Sequence, residues 1–415
     1  MSSIAVDLGA VLGPIVGEDQ LLLGSDCGDD RLSGLGIVRP QSVEQLSAVV
    51  RACYGQCWPL AVYGQRTKLL WGTAGLGPAT VAIDTAGLHR LVNHWVDDFT
   101  VRVEAGMTLA QLRSHLQPQG QYWPIDSIYG GRGSVGGTVA TADAGSLRQR
   151  YGGVRDTVIG IQFVRYDGEL VKAGGRVVKN VAGYDLMKLM TGAYGSLGIL
   201  AEITLRLYPV ATTSRSVALS GDPKGIAVAA RQVRLQGLTP VAMDLVAEAD
   251  KILLVGRFQG IAAAVTEQIE RFEALATAAG LSATPVDEAW WEQRAGLLAQ
   301  PGILVKVGLL PSQQISLLQL AQQRLLPGWQ GRLHNGSGIG LFRLSSDQPE
   351  LKQRLLELRS HCEAHQGYLT VLEAPPIPGF DRWGYRGSAM SVMKAIKQKF
   401  DPHSLLNPGR YVGGM

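Results

Sequence analysis

Pro59-Leu60-Ala61-Val62-Tyr63-Gly64-Gln65-Arg66-Thr67-Lys68 is an apolar run that breaks at a glycine and continues into an amide, two basic side chains and a hydroxyl. The apolar part has the length of a short buried strand. A glycine directly after a strand lets the chain turn into a loop whose successive backbone N–H groups converge on an anion, with Thr67 and Lys68 adding donors. Gly136-Gly137-Thr138 stands at a short helix start, another place where N–H groups face a phosphate. Gly192-Ala193-Tyr194-Gly195-Ser196-Leu197-Gly198-Ile199 lets backbone approach something flat. Each cluster alone also fits a turn, a cap or a tight crossing. The chain has 52 glycines among 415 residues with no collagen-like period, well above the ~7% usual share. Together they point to a ligand site lined by backbone.

Working outward, the first half alternates short strands and helices. Ser42 and Gln45 have capping-box spacing and open a helix with Val43, Leu46, Val49 and Val50 as its stripe; Thr108 and Gln111 repeat the spacing. Strands are expected at 80–83, 99–103 and 200–208, the last stopped by Pro209, and a hairpin at 158–173 turns on Asp167-Gly168. Beyond Pro209 a strand–helix–strand–strand–helix plan is used twice, a ferredoxin-like pattern. Trp290 and Trp291 lie on a further helix, and a last helix runs 390–400 into a glycine-rich tail. The fold class is α+β.

A net charge of +4 without basic blocks excludes a nucleic-acid-binding face. Cys27, Cys53, Cys57 and Cys362 make no C-x-x-C pair, so neither a disulfide framework nor a self-contained iron–sulfur site is expected, and burial as small apolar residues is the simpler reading. The first seven residues lack a basic region before an apolar stretch, and no apolar run reaches ~18 residues, so a cytoplasmic protein with no transmembrane segment is expected. Gly131-Arg132-Gly133-Ser134-Val135-Gly136 satisfies G-x-G-x-x-G, but Pro124 spoils the strand that a dinucleotide fold needs before it.

Two further stretches complete a pattern: Gly152-Gly153-Val154-Arg155-Asp156-Thr157-Val158-Ile159-Gly160, and Val178-Lys179-Asn180-Val181-Ala182-Gly183-Tyr184-Asp185-Leu186. The tail adds Phe400-Asp401-Pro402 and Asn407-Pro408-Gly409-Arg410. In this order the segments resemble the FAD-binding family of vanillyl-alcohol oxidase and p-cresol methylhydroxylase (PCMH-type), and within it the FAD-binding, E-type subunits of bacterial glycolate oxidase. The resemblance covers 37–210 and 367–412; no motif matches in 211–366. It implies a two-subdomain FAD-binding domain at 37–210 after an N-terminal segment, an α+β cap at 211–385 and a tail at 386–415 returning to the FAD domain. It also implies that Gly64, Gln65, Arg66, Thr67 and Lys68 hold the pyrophosphate together with Ser134, Gly136, Gly137, Thr138 and Thr141. Pro124 and Asp126 pass near the flavin, Gly145 is close to the cofactor, Gly198 and Ile199 lie by the adenosine half, and Asn407 lies near the ring. The family commonly has further Gly or Asn after the first loop glycine, where this chain has Gln65 and Arg66, which reach a left-handed conformation only at a cost. No His or Cys falls in 64–77 or 127–152, so the FAD is expected to be non-covalent.

In such a protein the flavin does the redox chemistry and the polypeptide supplies position and charge. Lys179 is the expected cation beside the ring, ahead of Arg132 and Arg410, and Tyr184 a donor to substrate; the alternatives are a solvated lysine and a packed aromatic. His334-Asn335-Gly336-Ser337-Gly338 is the nearest analogue of the metal-site stretch of related 2-hydroxy-acid dehydrogenases, but lacks its carboxylate and second His. His361 and His365 stand at i, i+4 without an evident third ligand. No metal is expected, and no hydroxyl base is identified. The resemblance implies a flavin subunit of a glycolate (2-hydroxy-acid) dehydrogenase complex that relays electrons beside a homologous catalytic flavoprotein and an iron–sulfur subunit, with membrane association only through those partners. A stand-alone FAD oxidase and a structural flavoprotein subunit are the alternatives.

Overall fold

A computed structural model describes residues 3–72, 81–176, 184–248 and 251–415, with side chains from residue 8 onward. Helix α1 (Ser3–Val16) leads into strands β1 (Leu21–Leu23) and β2 (Gly36–Val38), followed by α2 (Val43–Gly55), β3 (Leu60–Tyr63) and β4 (Val81–Asp84). They form a sheet in the order β1-β2-β4-β3, with β2, β4 and β3 parallel. Ser42 caps α2 by accepting from Gln45 N, but the Gln45 side chain accepts from Gln41 N, one residue before the cap, so the expected box is only half closed. Val43, Leu46, Val49, Val50 and Cys53 are the buried face of α2; each fully buried Leu or Val contributes about 1.5–3 kcal/mol. Burial pushes the Cys53 thiol up to about 12, leaving it inert, whereas Cys57 is exposed. The sequence reading assigned no element to α1 or β1; Leu8, Leu12 and Val16 of α1 join the α2 cluster.

Next come β5 (Leu91–Trp95), β6 (Thr100–Glu104), α3 (Leu109–Leu116), β7 (Gln121–Tyr122), the short helices α4 (Val135–Thr141), α5 (Arg148–Tyr151) and α6 (Val154–Thr157), the hairpin β8 (Val158–Val164) and β9 (Leu170–Gly174), α7 (Leu186–Met190), β10 (Ile199–Arg206) and β11 (Tyr208–Pro209). Thr108 and Gln111 close a full capping box on α3. The antiparallel order is β5-β6-β10-β8-β9. This sheet is covered on both faces: Ile161, Phe163 and Ile203 pack with α3 and α4, while Val164, Ile199 and Ala201 pack with α2. That double burial makes β8 apolar along its whole length. Pro209 does not end the extended chain as expected. It pairs with Gln121 in a two-residue edge ladder, where a missing N–H is tolerated. The G-x-G-x-x-G stretch begins inside a 3-10 turn at Gly130–Arg132 and is not preceded directly by a strand.

The second half is one eight-stranded antiparallel sheet built twice from the same unit. β12 (Thr213–Ser220), α8 (Pro223–Leu235), β13 (Ala242–Glu248), β14 (Lys251–Gly260), α9 (Ala262–Ala278) and β15 (Ser282–Val286) form one copy. After an inserted α10 (Ala289–Leu298), β16 (Ile303–Gly308), α11 (Gln314–Arg324), β17 (Gln330–His334), β18 (Ile339–Leu344), α12 (Leu351–Ala364) and β19 (Tyr368–Glu373) form the other. The order β15-β12-β14-β13-β17-β18-β16-β19 is two mirrored four-stranded units joined at β13 and β17. The fourth strand of the second unit, β19, stands where the sequence predicts a strand at 368–372, but that of the first unit, β15, was not expected. β15 is an exposed edge carrying Pro285, so it shows no apolar alternation. Val217, Leu245, Ile252, Val305, Leu333, Phe342 and Val371 face the four long helices. The opposite face looks toward the first half: Leu304, Leu341 and Leu372 cluster there with Trp71, Tyr129 and Tyr194.

Helix α13 (Met390–Phe400) returns the chain to the first half. Lys397 Nζ is buried between Asp401 Oδ2 (2.5 Å), Ser196 O (2.8 Å) and Leu406 O (3.0 Å), and Asp401 accepts from Leu405 N and Leu406 N. This clasp lays the tail beside β3, where Leu406 bridges Leu60 in parallel. Among the described residues no helix is long and apolar enough to cross a membrane.

Candidate active site

Four stretches distant in sequence, around 62–69, 134–141, 190–200 and 407–410, enclose a cleft of ≈ 740 Å³ including its open mouth. The 64–68 loop, Ser134, Gly136, Gly137, Thr141, Gly198, Ile199 and Asn407, all named from the sequence, line it. Gly64 has a steric reason: a Cβ there would collide with Ser134 Oγ. So has Gly136, whose Cβ would lie 2.8 Å from Ala105 O.

The loop resolves the doubt over Gln65 and Arg66. Arg66 is left-handed at φ 57°, a strain of ~1–3 kcal/mol that persists where surrounding structure enforces it. Asp29 lies 3.9 Å from its guanidinium, which also sits 5.5 Å from the Tyr63 ring centre. Among the described residues, no protein group accepts a hydrogen bond from the N–H of Gln65, Arg66, Thr67 or Lys68. Successive free N–H groups around a left-handed residue make a concave anion-binding nest. The α4 start behaves differently from expectation. Val135 N and Gly136 N donate to Met107 O and Ala105 O, and Gly137 N to Ser134 Oγ. Its leading donors are therefore spent inside the protein, whereas those of the 64–68 loop are not.

Thr138 lies behind the cleft wall and receives Lys68 Nζ at 3.3 Å. Lys68 also forms a buried ion pair with Asp143 Oδ2 at 3.0 Å, and Ser127 Oγ donates to the same carboxylate oxygen. Pro124, Asp126 and Gly145 do not line the cleft. Asp126 accepts from Gly145 N and Ser146 N, bracing the segment that leads to Arg148. Asn407, left-handed at φ 44°, accepts from Val62 N (2.8 Å) and donates to Tyr194 O (2.6 Å), tying the tail to two walls. Tyr184 is 92% exposed, away from the cleft, and Lys179 lies outside the described residues.

Arg410, offered by the sequence only as one of three cations, is the distinctive charge. It is buried in the cleft wall, donates to Val62 O (3.2 Å) and Lys68 O (2.8 Å), and has no carboxylate partner among the described residues. Among the described residues its Nε has no acceptor, and the buried Tyr63 hydroxyl on the same wall has no hydrogen-bond partner. Burial pulls the guanidinium down to about 10, opposed only by the Tyr194 hydroxyl. A buried cation and two orphaned polar atoms beside a nest of free N–H groups, with Val62, Ala105, Ala140 and Met190 as apolar walls, suit an anionic ligand with flat apolar ends. FAD meets that description.

Sequence reading missed a second cluster, on the face of the eight-stranded sheet turned toward the first half. Asp244 on β13 is paired in register with His334 on β17. Its carboxylate receives His334 Nδ1 at 3.0 Å, Ser146 Oγ at 2.5 Å and Arg332 Nε; Arg332 also donates to Ser146 Oγ at 2.7 Å. Burial alone would raise the Asp244 carboxyl, but Arg332 and His334 hold it down to about 2. Ser146 donates to Asp244 and accepts from Arg332, so the remaining proton between His334 and the carboxylate belongs on Nδ1. Nε2 is then the lone-pair nitrogen, and among the described residues nothing occupies it. Ser146 and Asp244 share Nδ1, so this is not a nucleophile relay, which needs both ring nitrogens. The missing carboxylate of the 334–338 stretch is thus supplied 90 residues earlier by strand pairing. Elsewhere, His361 and His365 pack ring on ring but bond to Ser316 Oγ and His361 O. No group of three or more His, Cys, Asp or Glu among the described residues can hold a metal ion.

Residues 35–174 match the FAD binding domain family, and residues 384–411 the C-terminal domain of FAD linked oxidases. The chain is 27% identical to the probable mitochondrial D-lactate dehydrogenase of Danio rerio, over 90% of this chain and 83% of that one. It is also 27% identical to glycolate oxidase subunit GlcE of Escherichia coli, over 85% and 92%. The fold superposes on p-cresol methylhydroxylase with a TM-score of 0.75 at 14% identity, covering 99% of this chain and 97% of that one. The chain therefore carries an FAD binding domain and the C-terminal domain of FAD linked oxidases, on the fold of p-cresol methylhydroxylase.

Proposed function

We propose that this chain is an FAD-dependent dehydrogenase of small 2-hydroxy acids, working as the E-type flavin subunit of a larger assembly. The observation that carries the catalytic part is His334, held at Nδ1 by Asp244 with Nε2 left open, on the sheet face that meets the cofactor half. The names of the D-lactate dehydrogenase and GlcE relatives support the substrate class. The 64–68 loop and Arg410 hold the FAD pyrophosphate without a covalent bond. Bound FAD supplies a two-electron acceptor. His334 takes the substrate hydroxyl proton at Nε2, and Asp244, fixed by Arg332 and Ser146, steadies the imidazolium. The cluster of Trp71, Tyr129 and Tyr194 against Leu304, Leu341 and Leu372 excludes water from the junction.

Anaerobic addition of glycolate or D-lactate to the FAD-loaded chain should bleach its visible absorbance. His334→Gln should slow bleaching by about 10²–10⁴-fold at unchanged FAD content. A second reading, electron relay from a homologous catalytic flavoprotein toward an iron–sulfur subunit, is favoured by one feature. Val228 and Leu235 of α8 and Ile261 before α9 are 52%, 65% and 70% exposed on the helical surface, as a partner-binding face would be. Bleaching only after a partner flavoprotein is added would select it. A chain that takes up no FAD rejects both.

A further inference from the structure

His334 is the last residue of β17, and the turn that follows it is gripped from the helical side of the sheet. Leu333 faces the helices, so Asn335 shares that face while His334 looks toward the cofactor half. Asn335 is 1% exposed, and Gln314, which opens α11, is 0% exposed. Two amides buried that deeply are costly unless they are hydrogen-bonded. They are joined end to end. Arg234 Nη1, from the last turn of α8, donates to Asn335 Oδ1 at 2.9 Å, Asn335 Nδ2 donates to Gln314 Oε1 at 2.9 Å, and Gln314 Nε2 donates to His334 O at 3.3 Å.

This chain of hydrogen bonds has one possible polarity. A guanidinium only donates and a backbone carbonyl only accepts, so the two amides between them are oriented from both ends. The same His334 carbonyl accepts from Ser337 N at 3.2 Å and Gly338 N at 2.9 Å, and Asn335 N donates to Met243 O at 2.8 Å, next to Asp244. On the cofactor side, Gln149 of α5 lies so close to Gly336 that a Cβ there would collide with its side-chain oxygen. The turn is held on both faces of the sheet.

We propose that Gln314 and Asn335 are positioning residues for His334, an assignment that rests on the hydroxy-acid reading above. They act only through the His334 backbone, pinning the end of β17 to α11 so that the ring keeps Nδ1 on Asp244 and Nε2 open. A strand end at a hairpin turn opens locally at little cost unless it is tied down, and a small displacement of a reacting group loses rate steeply.

Nitrogen-15 spectra of the histidine-labelled, FAD-loaded chain test this without turnover. The chain has seven histidines, and the His334 signals are those lost in His334→Gln. With the imidazole neutral, the wild type should show a single tautomer, with the proton on Nδ1 and the lone pair on Nε2. Gln314→Met removes the donor to His334 O and should let the second tautomer appear. Asn335→Asp separates positioning from folding. It still accepts from Arg234, now as an ion pair, but cannot donate to Gln314. The Gln314 amide must then turn its N–H groups to the carboxylate and its oxygen to His334 O, so the second tautomer should appear here too. Arg234→Lys keeps a donor at the outer end and should give wild-type spectra. In Gln314→Met and Asn335→Asp the limiting rate of bleaching by glycolate or D-lactate should fall about tenfold or more, with the half-saturating concentration within about twofold and FAD content unchanged. A single tautomer retained in Asn335→Asp overturns the assignment, as does a mixture of tautomers in the wild type; Asn335→Asp alone decides if Gln314→Met fails to fold. If every variant keeps wild-type spectra and bleaches at the wild-type rate, the positioning role fails and the hydroxy-acid reading stands. If both variants loosen His334 but no hydroxy acid bleaches the wild type, the positioning role stands and that reading falls.

Discussion

The cleft and the sheet face opposite it are built by different means. In the cleft the backbone carries the chemistry: free N–H groups at 65–68, left-handed Arg66, Tyr194 and Asn407, and glycines where walls nearly touch. On the sheet face the backbone is regular and side chains carry it: Asp244, Arg332, His334 and Lys306 project from three strands of ordinary register. Backbone chemistry needs particular residues in local runs, so it leaves a local trace. Side-chain chemistry on a sheet needs only parity and register, and is spread over residues far apart in sequence.

The largest expected effect breaks the sheet-face cluster. Asp244→Ala leaves Arg332 and His334 buried without their carboxylate, and should cost about 3–5 kcal/mol in denaturant unfolding. The same group gives a pH signature. With a folded value of about 2 against about 3.9 unfolded, its stabilisation is present above about pH 4 and lost as pH falls toward 2, on the order of 2–3 kcal/mol. Unfolding of wild type and Asp244→Asn from pH 6 to 2.5 should therefore converge in acid; parallel curves would contradict the ion-pair account. A middle effect concerns Arg410, a cleft charge without a carboxylate partner among the described residues. Arg410→Met should weaken FAD about 100-fold, or about 2.7 kcal/mol at 1.4 kcal/mol per decade, measured by recovery of flavin fluorescence on dilution, while the FAD-free protein keeps its melting temperature. Equal FAD affinity would move the anion elsewhere. The smallest effect sharpens the contrast. Arg66→Gly relieves a left-handed non-glycine, so the FAD-free protein should gain up to about 1 kcal/mol. FAD affinity should fall by no more than about threefold if the nest's N–H groups hold the ligand; a tenfold loss would shift the role to the guanidinium.

Much of the cleft was legible because Gly64 through Lys68, Gly136-Gly137 and the tail Asn407 are local signals with steric reasons. The doubled unit of the second half was legible from element order alone. Three features were not. β15 is a solvent-exposed edge with no apolar alternation. The spent donors of α4 depend on the carbonyls of Ala105 and Met107, which only the tertiary approach brings within reach. His334, the base proposed above, lay in plain view, but its carboxylate partner is Asp244, and nothing local to either residue announces the pair.

What the amino-acid order determined unaided is where the chain must bend, what each segment buries and which loop can wrap an anion, because these follow from φ preferences and short-range apolar spacing. Whether Arg410 is left without a carboxylate partner and whether Asp244 reaches His334 was decided only in three dimensions, because charge pairing depends on distances that strand register and the docking of the two halves set.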